Sequence, residues 1–421
     1  MLRDRRLNAG GGPGIVRGAL GDGLADVSLL LIAVVVIALV FDFTNGFHDA
    51  ANAIATSIGT RALTPTAALG MAAVLNVVGG LIYETRVADT MTQIVDAGIA
   101  SQELVLAALL GAILWNLFTW FYGIPSSSSH ALIGGLVGAA FAASWSVGTV
   151  KWDAVLKKVI LPTLASPLAG LVVAAGVTAL LYRLVHAQDG VVVRTGVRLL
   201  AGGLLAAFFG FIAHVVVGTP LDLLAHVELP WWLYGGLGVP LAWGTMRRVE
   251  GRGPRDVNGS FRILQTMSAG YMALEHGHND AQKTMGIITL ALVAEGVAAP
   301  EDGVPLWVKL ACAGVIGAGT FSGGKRIIKT MGMKLVKLEP IDGFAAETVA
   351  ASVIQVAGRF GMPISTTHAI TAAITGVGVA KRISAVRWGV TAQILTAWIL
   401  TLPAAAAIAG VSYFIIMAWV R

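Results

Sequence analysis

The sequence predicts an all-α integral membrane protein built from two inverted-topology repeats. Of its 421 residues, 56% are hydrophobic and only 12% are charged, and the mean hydropathy is +0.78. Soluble globular domains carry about 25% charged residues. A chain this apolar and this poor in charge is typical of membrane-spanning helices, and a polar motif that occurs twice indicates the repeat.

Apolar stretches that can form helices follow one another along most of the chain. A helix needs about 20 apolar residues to cross the hydrocarbon core of a bilayer. Several stretches are shorter, so we expect about 10 to 12 transmembrane segments that include broken helices and re-entrant hairpins. The apolar stretches cover residues 28–41, 66–83, 104–122, 131–147, 159–182, 199–217, 231–246, 263–275 with 284–295, 305–320, 343–357, 369–380, 386–402 and 403–420.

Two loops at equivalent places in the two halves have opposite charge. Loop 84–103 has four acidic side chains and one arginine, whereas loop 321–342 has five basic side chains and two acidic ones. Basic loops of membrane proteins lie preferentially on the cytoplasmic side. The two loops are therefore predicted on opposite sides of the membrane, as in an inverted-topology repeat.

The chain is predicted to divide into four parts. Residues 1–26 form a flexible amino-terminal arm, and residues 27–246 form a transmembrane region that contains repeat 1 at about 27–150. Residues 247–262 form a cytoplasmic basic linker with five arginines, and residues 263–421 form a transmembrane region that contains repeat 2. If every apolar stretch before the linker crosses the membrane, the amino terminus lies outside.

Charge and cysteine content exclude other classes of protein. The net charge is +6 and the isoelectric point is about 9.5, but the basic residues lie in short loops between apolar stretches. The positive-inside bias explains them better than nucleic-acid binding does. The single cysteine, Cys312, excludes an internal disulfide. We expect the lipid bilayer as a partner and no nucleic acid.

The first half of the duplicated motif places a carboxylate among apolar residues. It reads GFHDAAN at 46–52 and GHNDAQK at 277–283, so Asp49 and Asp280 are equivalent. A charged side chain within a membrane is costly and must face a polar cavity. A helix broken at its motif glycine, Gly46 or Gly277, would expose backbone groups there that bind a small cation or an oxyanion together with Asn52, Asn279 and Gln282. The alternative for Asp280 is a structural ion pair with Lys283, one helical turn later.

The second half of the motif combines a helix break with hydroxyl groups. It reads GIPSSSSH at 123–130 and GMPISTTH at 361–368. Proline favours a break, after which a serine or threonine can cap a new helix whose free N–H groups attract an anion. Phosphate or sulfate suits such a site, although a lone serine can also serve helix packing. The hydroxyl candidates are Ser127, Ser128, Ser129, Ser365, Thr366 and Thr367.

The two copies of the motif have similar internal spacing. From Asp49 to His130 is 130 − 49 = 81 positions, and from Asp280 to His368 is 368 − 280 = 88 positions. His130 and His368 either orient the turn or contact the ligand. His48 and Asn279 are also equivalent, and only the histidine can titrate near neutral pH.

These four elements, in this order, resemble the inorganic phosphate transporter (PiT) family. The resemblance covers nearly the whole chain from about residue 28. It implies a dimeric secondary transporter with inverted repeats that binds phosphate near the middle of the membrane. Sodium drives some branches, and protons drive some bacterial members that carry metal-phosphate complexes. Glu347, in the segment FAAE at 344–347, resembles the intramembrane glutamate of this family.

Two departures from the family pattern favour its bacterial, proton-driven branch. His48 stands where many sodium-coupled members have asparagine, and Asn76 stands where animal members have a membrane glutamate. The expected function is therefore import of inorganic phosphate through the plasma (inner) membrane by proton symport. A metal-phosphate complex is a second expected form of the substrate. The alternatives are a sodium-coupled phosphate symporter and a sulfate permease.

The predicted site has three groups of residues. We expect no cofactor besides the coupling cation, H⁺ or Na⁺, and no certain metal ligand. Phosphate binding is assigned to the six hydroxyl residues with Asn52, Gln282 and Lys283. Binding of the coupling ion is assigned to Asp49, Asp280, His48, Asn279 and Glu347. His130 and His368 are assigned a supporting role.

Two other classes of function, a hydrolase and a passive channel, make different demands on the sequence. An intramembrane hydrolase could use serine, histidine and aspartate, but the serines and histidine of each copy share one segment, and nothing in their spacing requires a nucleophile–base contact. The sequence therefore predicts that the protein is not an enzyme. A passive anion channel differs from a symporter in that it cannot accumulate its anion against a gradient.

Overall fold

The computed structural model describes residues 28–95, 100–185, 191–214, 231–249 and 254–420. Within these residues the one β contact is an isolated bridge between Val95 and Val150. Everything else that is regular is helical, so the predicted all-α class is confirmed. The helices are α1 (Leu29–Gly59), α2 (Pro65–Ile82), α3 (Arg86–Met91), α4 (Gln102–Tyr122), α5 (Ser128–Ser144), α6 (Trp152–Val185), α7 (Val191–Ala213), α8 (Trp231–Val249), α9 (Pro254–Ala294), α10 (Leu306–Ser322), α11 (Lys325–Lys334), α12 (Pro340–Arg359), α13 (Thr366–Lys381) and α14 (Trp388–Val420).

Hydroxyl side chains start several of these helices. The Ser28 hydroxyl accepts a hydrogen bond from Leu31 N at 3.1 Å, and the Ser101 hydroxyl accepts one from Leu104 N at 3.3 Å. Thr64 does the same at α2, whose first residue is Pro65. Each cap satisfies a backbone N–H that has no partner within its helix, and proline at the first position gives up no hydrogen bond.

Five of the described helices are long and apolar enough to cross a membrane, namely α1, α2, α4, α6 and α14. Helices α10 and α11 meet at a bend of 61° and together would make a sixth span. Other helices, α9 and α12 among them, carry many buried polar side chains, which lowers their hydropathy. The total of about 10 to 12 transmembrane segments stays a prediction.

The predicted helix breaks at Gly46 and Gly277 are wrong. Helices α1 and α9 run through these positions without interruption. A Cβ atom at Gly46 would lie 2.3 Å from the Ile316 carbonyl oxygen, and one at Gly277 would lie 2.2 Å from the Asn76 carbonyl oxygen. The glycines therefore allow α1 to touch α10, and α9 to touch α2, backbone against backbone.

Two pairs of predicted apolar stretches are single helices. Residues 263–275 and 284–295 belong to α9, which continues from Pro254 to Ala294, and residues 386–402 and 403–420 belong to α14. Pro403 lies inside α14 without ending it. Membrane helices tolerate proline because neighbouring groups satisfy the carbonyl that the ring leaves free.

Part of the predicted linker 247–262 is helical, because α8 ends at Val249 and α9 begins at Pro254. Residues 250–253 between them lie outside the described part of the chain. The predicted arm at residues 1–26 also lies outside it.

Helices α1 and α9 are antiparallel at the centre of the molecule. Thr284 donates to Asp42 at 2.8 Å, and Thr60, at the other end of α1, donates to Gln265 at 2.7 Å. Helix α3 packs on the carboxyl half of α9 at Gly286, and α11 packs on the carboxyl end of α1 at Gly59. Because α1 and α9 run in opposite directions, α3 and α11 lie at opposite ends of the pair, as an inverted repeat requires.

Candidate functional site

The two proline-containing segments end one helix and start the next, as predicted. Helix α4 ends before Gly123, which has φ 65°, and α12 ends shortly before Gly361, which has φ 66°. Ser127 then caps α5 by accepting from His130 N at 3.2 Å, and Ser365 caps α13 by accepting from His368 N at 3.2 Å. The two caps are geometrically equivalent in the two halves.

These two helix starts face each other in the interior. Ser129 donates to the Ile364 carbonyl at 3.3 Å, across the gap between the segments. All six predicted hydroxyl side chains are buried. The amino-terminal ends of α5 and α13, each with free N–H groups and a positive dipole end, thus converge on one polar region suited to an anion. We call Ser127, Ser128, Ser129, Ser365, Thr366 and Thr367 the hydroxyl cluster.

Asn52 connects helix α1 to the hydroxyl cluster. Its Nδ2 donates to Thr366 Oγ1 at 3.1 Å and to Thr367 Oγ1 at 3.0 Å. The Asn52 Oδ1 atom is buried and has no hydrogen-bond partner among the described residues. The predicted place of Asn52 beside the hydroxyls is therefore what the structure shows.

Asp280 and Lys283 form an ion pair, which was the alternative prediction for Asp280. The Lys283 Nζ lies 2.5 Å from Asp280 Oδ1, and both side chains are buried. Lys283 also donates to Ser129 Oγ and, at 3.0 Å, to the Ile364 carbonyl. The ammonium thus joins both helix starts while its charge is balanced by Asp280. Ion pairing and anion binding are compatible, because Lys283 already lies at the hydroxyl cluster.

His48 lies between Asp49 and two hydroxyls of the first repeat. Its Nδ1 is 2.6 Å from Asp49 Oδ1, and its Nε2 is 3.1 Å from Thr119 Oγ1 and 3.4 Å from Ser126 Oγ. Thr119 and Ser126 are themselves 2.7 Å apart. The imidazole therefore orients the Asp49 carboxylate and connects it to the start of α5.

The two motif carboxylates lie close enough to share a cation. Ligand atoms of Asp49, Asp280 and His276 all lie within 4.8 Å of one another. His276 Nε2 is 3.2 Å from Asp280 Oδ2, and its Nδ1 is 3.2 Å from Asn76 Oδ1. Sequence reasoning missed His276. Its position four residues before Asp280, one turn along the same helix, was the available signal.

Asn76 is a second residue whose structural role the sequence did not predict. Its Oδ1 accepts a hydrogen bond from His276 Nδ1 at 3.2 Å, and its Nδ2 donates to Thr320 Oγ1 at 2.6 Å. Thr320 in turn lies 3.4 Å from the Gly46 carbonyl. This chain of contacts fixes the His276 ring from the side opposite Asp280.

The side chain of Gln282, which was assigned to phosphate binding, forms hydrogen bonds with backbone groups instead. Its Oε1 accepts from Val87 N at 3.0 Å, and its Nε2 donates to the Glu84 carbonyl at 2.8 Å. The side-chain amide therefore satisfies the backbone at the start of α3. Asn279 reaches the second proline segment instead, where its Nδ2 donates to the Met362 carbonyl at 3.4 Å.

Glu347 lies in a separate buried cluster of oxygen and amide groups. Ser268 donates to its Oε2 at 2.5 Å, and Ser57 donates to its Oε1 at 2.6 Å. Thr56 donates to the same Oε1, and Gln265 Nε2 lies 3.4 Å from it. The structure thus keeps Glu347 apart from the two motif carboxylates. Sequence reasoning missed its four partners, which lie on α1 and α9 beyond the motifs.

The two motif histidines contact side chains of helices α6 and α14 and each other. His130 Nε2 lies 2.7 Å from Thr163 Oγ1 on α6, and the His368 ring stacks on Trp398 of α14 at 3.7 Å between centroids. The two rings are also 4.7 Å apart, edge to face. These contacts connect the two helix starts to α6 and α14, and the supporting role of the histidines stays a prediction.

Comparison with known proteins identifies the family. Residues 45–409 match the model of the phosphate transporter family. The chain is 40% identical over 386 residues to a probable low-affinity inorganic phosphate transporter of Rhizobium meliloti, covering 91% of this chain and 96% of that protein. It is 38% identical over 395 residues to a protein of the same description from Bacillus subtilis, covering 93% and 98%.

A solved structure described as the sodium-dependent phosphate transporter has the same fold. Its TM-score is 0.77 at 24% sequence identity, with 93% of this chain and 100% of that chain covered. Together with the apolar helices, the family match confirms the predicted family and the multi-pass membrane location. This chain belongs to the phosphate transporter family.

Proposed function

We propose that this protein imports inorganic phosphate through the plasma membrane as a proton-driven symporter and that phosphate binds at the hydroxyl cluster. One observation carries the proposal: the buried ammonium of Lys283 lies where the starts of α5 and α13 meet. Several hydroxyls and two helix amino termini supply hydrogen-bond donors to a tetrahedral oxyanion, and the ammonium adds positive charge beside it. The antiparallel α1 and α9 support the inverted repeat.

Unused polar atoms at the site support a bound anion. The Ser128 hydroxyl is buried and has no hydrogen-bond partner in the described part of the chain. A buried hydroxyl without a partner is unfavourable, so a ligand that accepts from Ser128 would satisfy it. Phosphate offers such acceptors, and it can also carry a proton that Asp49 or Asp280 accepts. Sulfate has no proton to offer at neutral pH, which favours phosphate over sulfate at this site.

Replacing Ser128 with alanine should weaken phosphate binding by roughly tenfold to a hundredfold, because a lost hydrogen bond to a charged acceptor costs about 1.5 to 3 kcal/mol. The measurement is the concentration of phosphate that half-saturates uptake into proteoliposomes. Ser144→Ala is the matched control, since Ser144 ends the same helix far from its start. Equal half-saturation in Ser128→Ala and the parent would contradict binding at the hydroxyl cluster.

The coupling proton is assigned to the two motif carboxylates with His48 and Asn279, and Glu347 is a separate candidate site for a coupling cation. Proton coupling is supported by His48, because an imidazole that contacts Asp49 can deliver a proton to it and, once protonated, repels sodium. The sodium-coupled alternative has its own support in Glu347, because a carboxylate with three hydroxyl oxygens around it suits a hard cation. The related solved structure is described as sodium-dependent.

The metal-phosphate form of the substrate is compatible with the same geometry. A divalent cation that travels with phosphate accepts carboxylate oxygen and imidazole nitrogen as ligands. Asp49, Asp280 and His276 offer this combination close to the hydroxyl cluster. We also propose a homodimer, which follows from the family resemblance, and no enzymatic activity.

The deciding experiment is uptake of labelled phosphate into proteoliposomes with proton and sodium gradients imposed separately. We expect an inward proton gradient to drive accumulation without sodium. Excess sulfate should compete poorly, and accumulation above equilibrium excludes a passive channel. Strict dependence on sodium would overturn proton coupling and leave phosphate transport standing, whereas preference for sulfate would overturn the choice of anion.

Replacing His48 with asparagine should change the pH dependence of uptake. Asparagine can keep a hydrogen bond to Asp49 but cannot titrate near neutral pH. We expect proton-driven uptake to fall while phosphate binding, measured at a fixed pH, stays near that of the parent. His214→Asn is the control for loss of a histidine elsewhere, since the His214 ring contacts Tyr234 edge to face, at 4.9 Å between centroids. An unchanged pH profile in His48→Asn would remove His48 from the coupling mechanism.

A further inference from the structure

Asp42 is a buried carboxylate to which the proposed transport cycle gives no role. It lies on α1, about two helical turns before Asp49, and its side chain is fully buried at 0% exposure. Thr284 donates to its Oδ1 at 2.8 Å. Its Oδ2 is buried and has no hydrogen-bond partner among the described residues. One carboxylate oxygen is thus held, and the other is left open.

No basic side chain of the described residues pairs with Asp42. Lys283 acts on it electrostatically, but a lysine ammonium has only three N–H donors. Those of Lys283 are directed to Asp280, Ser129 and the Ile364 carbonyl. The negative charge of Asp280 opposes an ionised Asp42, so the Asp280–Lys283 pair provides little net compensation.

The other surroundings of Asp42 are apolar or uncharged. Apart from Asp280 and Lys283 on α9, the titratable group that faces it is the buried thiol of Cys312 on α10. The neighbouring core contains Ala38 and Phe41 of its own helix. A carboxylate in such a place, without a cation, is much less favourable than the neutral acid.

We propose that Asp42 is a further proton-binding residue of the coupling mechanism, in addition to Asp49, Asp280 and His48, and that it takes the transported proton on the open Oδ2 while Thr284 holds Oδ1. This inference rests on the proposed proton coupling and adds a residue that carries the proton. The step is simple protonation: the carboxylate accepts H⁺ when phosphate binds and returns H⁺ when phosphate leaves, and no other bond changes.

The position of Asp42 near Lys283 explains how the two substrates are coupled. An ionised Asp42 weakens the positive field that Lys283 presents to phosphate, and protonation removes that opposition. By linkage, bound phosphate strengthens proton binding at Asp42 by the same factor by which the proton strengthens phosphate binding. Proton and phosphate therefore enter and leave the site together.

The Asp42→Asn variant separates phosphate transport from proton coupling. Asparagine has nearly the shape of the protonated acid and keeps an oxygen for the Thr284 hydroxyl, but it cannot release a proton. Two quantities are measured with the reconstituted full chain: phosphate–phosphate exchange at equal pH, and accumulation under an inward proton gradient. Glu301→Gln, an exposed carboxylate-to-amide change, is the matched control.

We expect Asp42→Asn to retain exchange and to lose proton-driven accumulation. A gradient of one pH unit can support about tenfold accumulation per proton in the parent and the control, and accumulation near onefold is expected in the variant. Parental accumulation in Asp42→Asn would overturn the inference and leave proton coupling intact. Loss of exchange in a properly folded variant would also overturn it, because Asp42 would then serve phosphate binding. If accumulation by the parent does not respond to the proton gradient, both proton coupling and the role of Asp42 are overturned.

Thr284→Val keeps the inference testable if Asp42→Asn does not fold. Valine matches threonine in shape but removes the hydroxyl that donates to Asp42 Oδ1. Loss of a hydrogen bond to the ionised form favours the acid, so the pH midpoint of phosphate exchange should move upward by about one unit. An unchanged midpoint in Thr284→Val would overturn the role of Asp42.

Discussion

Replacing Lys283 with methionine should reduce phosphate uptake by about a hundredfold or more, because the site loses its one buried ammonium along with charge-assisted hydrogen bonds worth about 1.5 to 3 kcal/mol each. The hydrogen bonds of Lys283 reach both helix starts, so no other described side chain replaces it there. Methionine preserves most of the side-chain volume. Asp280 keeps His276 and Thr366 as neighbours, which moderates the loss of its ion partner.

The matched control for Lys283→Met is Lys157→Met. Lys157 also forms an ion pair within one helix, with Asp153 at 2.9 Å, but both side chains are largely exposed. Exposed pairs of this kind contribute little to stability. We expect parental uptake from Lys157→Met, measured together with the amount of folded protein in the membrane. Uptake by Lys283→Met at the parental rate and half-saturation would show that the lysine is a structural partner of Asp280 only.

Replacing Gly277 with alanine should destabilise the protein by about 1–3 kcal/mol and stop transport, because the added methyl group overfills a close helix crossing. Its Cβ would lie 2.2 Å from the Asn76 carbonyl oxygen and 2.5 Å from the Asn76 Cα, both of which are backbone atoms. Helices α2 and α9 would have to separate. Since His276 contacts Asn76 at this crossing, separation would also displace a side chain of the candidate cation site.

The control is Gly314→Ala, on the exposed side of α10. A Cβ atom there would meet no atom within 4 Å. Alanine favours a helix over glycine by about 1 kcal/mol, so this variant should be as stable as the parent or slightly more so. For both variants, the unfolding temperature is measured in detergent and phosphate uptake is measured in proteoliposomes. Equal unfolding temperatures for Gly277→Ala and Gly314→Ala would contradict the close crossing.

Local chemistry explains which parts of the fold were predictable. The breaks before Ser127 and Ser365 were predicted because proline, glycine and a capping hydroxyl act within a few residues of one another. The burial of Asp49 and Asp280 followed from the apolar residues that surround them in the sequence. These features need no knowledge of distant parts of the chain.

Glycine and glutamine show where sequence reasoning failed. Gly277 could serve a break or a close crossing, and only the position of Asn76, on another helix, distinguishes the two. Gln282 could bind an anion or the protein backbone, and the nearby Glu84 and Val87 decided for the backbone. Glycine and glutamine can each serve several structural roles, and the packing of neighbouring helices determines which role is taken.

The sequence by itself determined the all-α membrane class, the family and the duplicated helix starts, and it proposed most residues of the candidate site, because composition and short motifs carry that information. Only the tertiary structure decided that α1 and α9 are unbroken and that Glu347 belongs to a separate cluster. It also brought His276 to the two carboxylates and left one oxygen of Asp42 open. These are consequences of contacts between helices far apart in the chain, and hydrogen-bond partners there are set by how the helices pack.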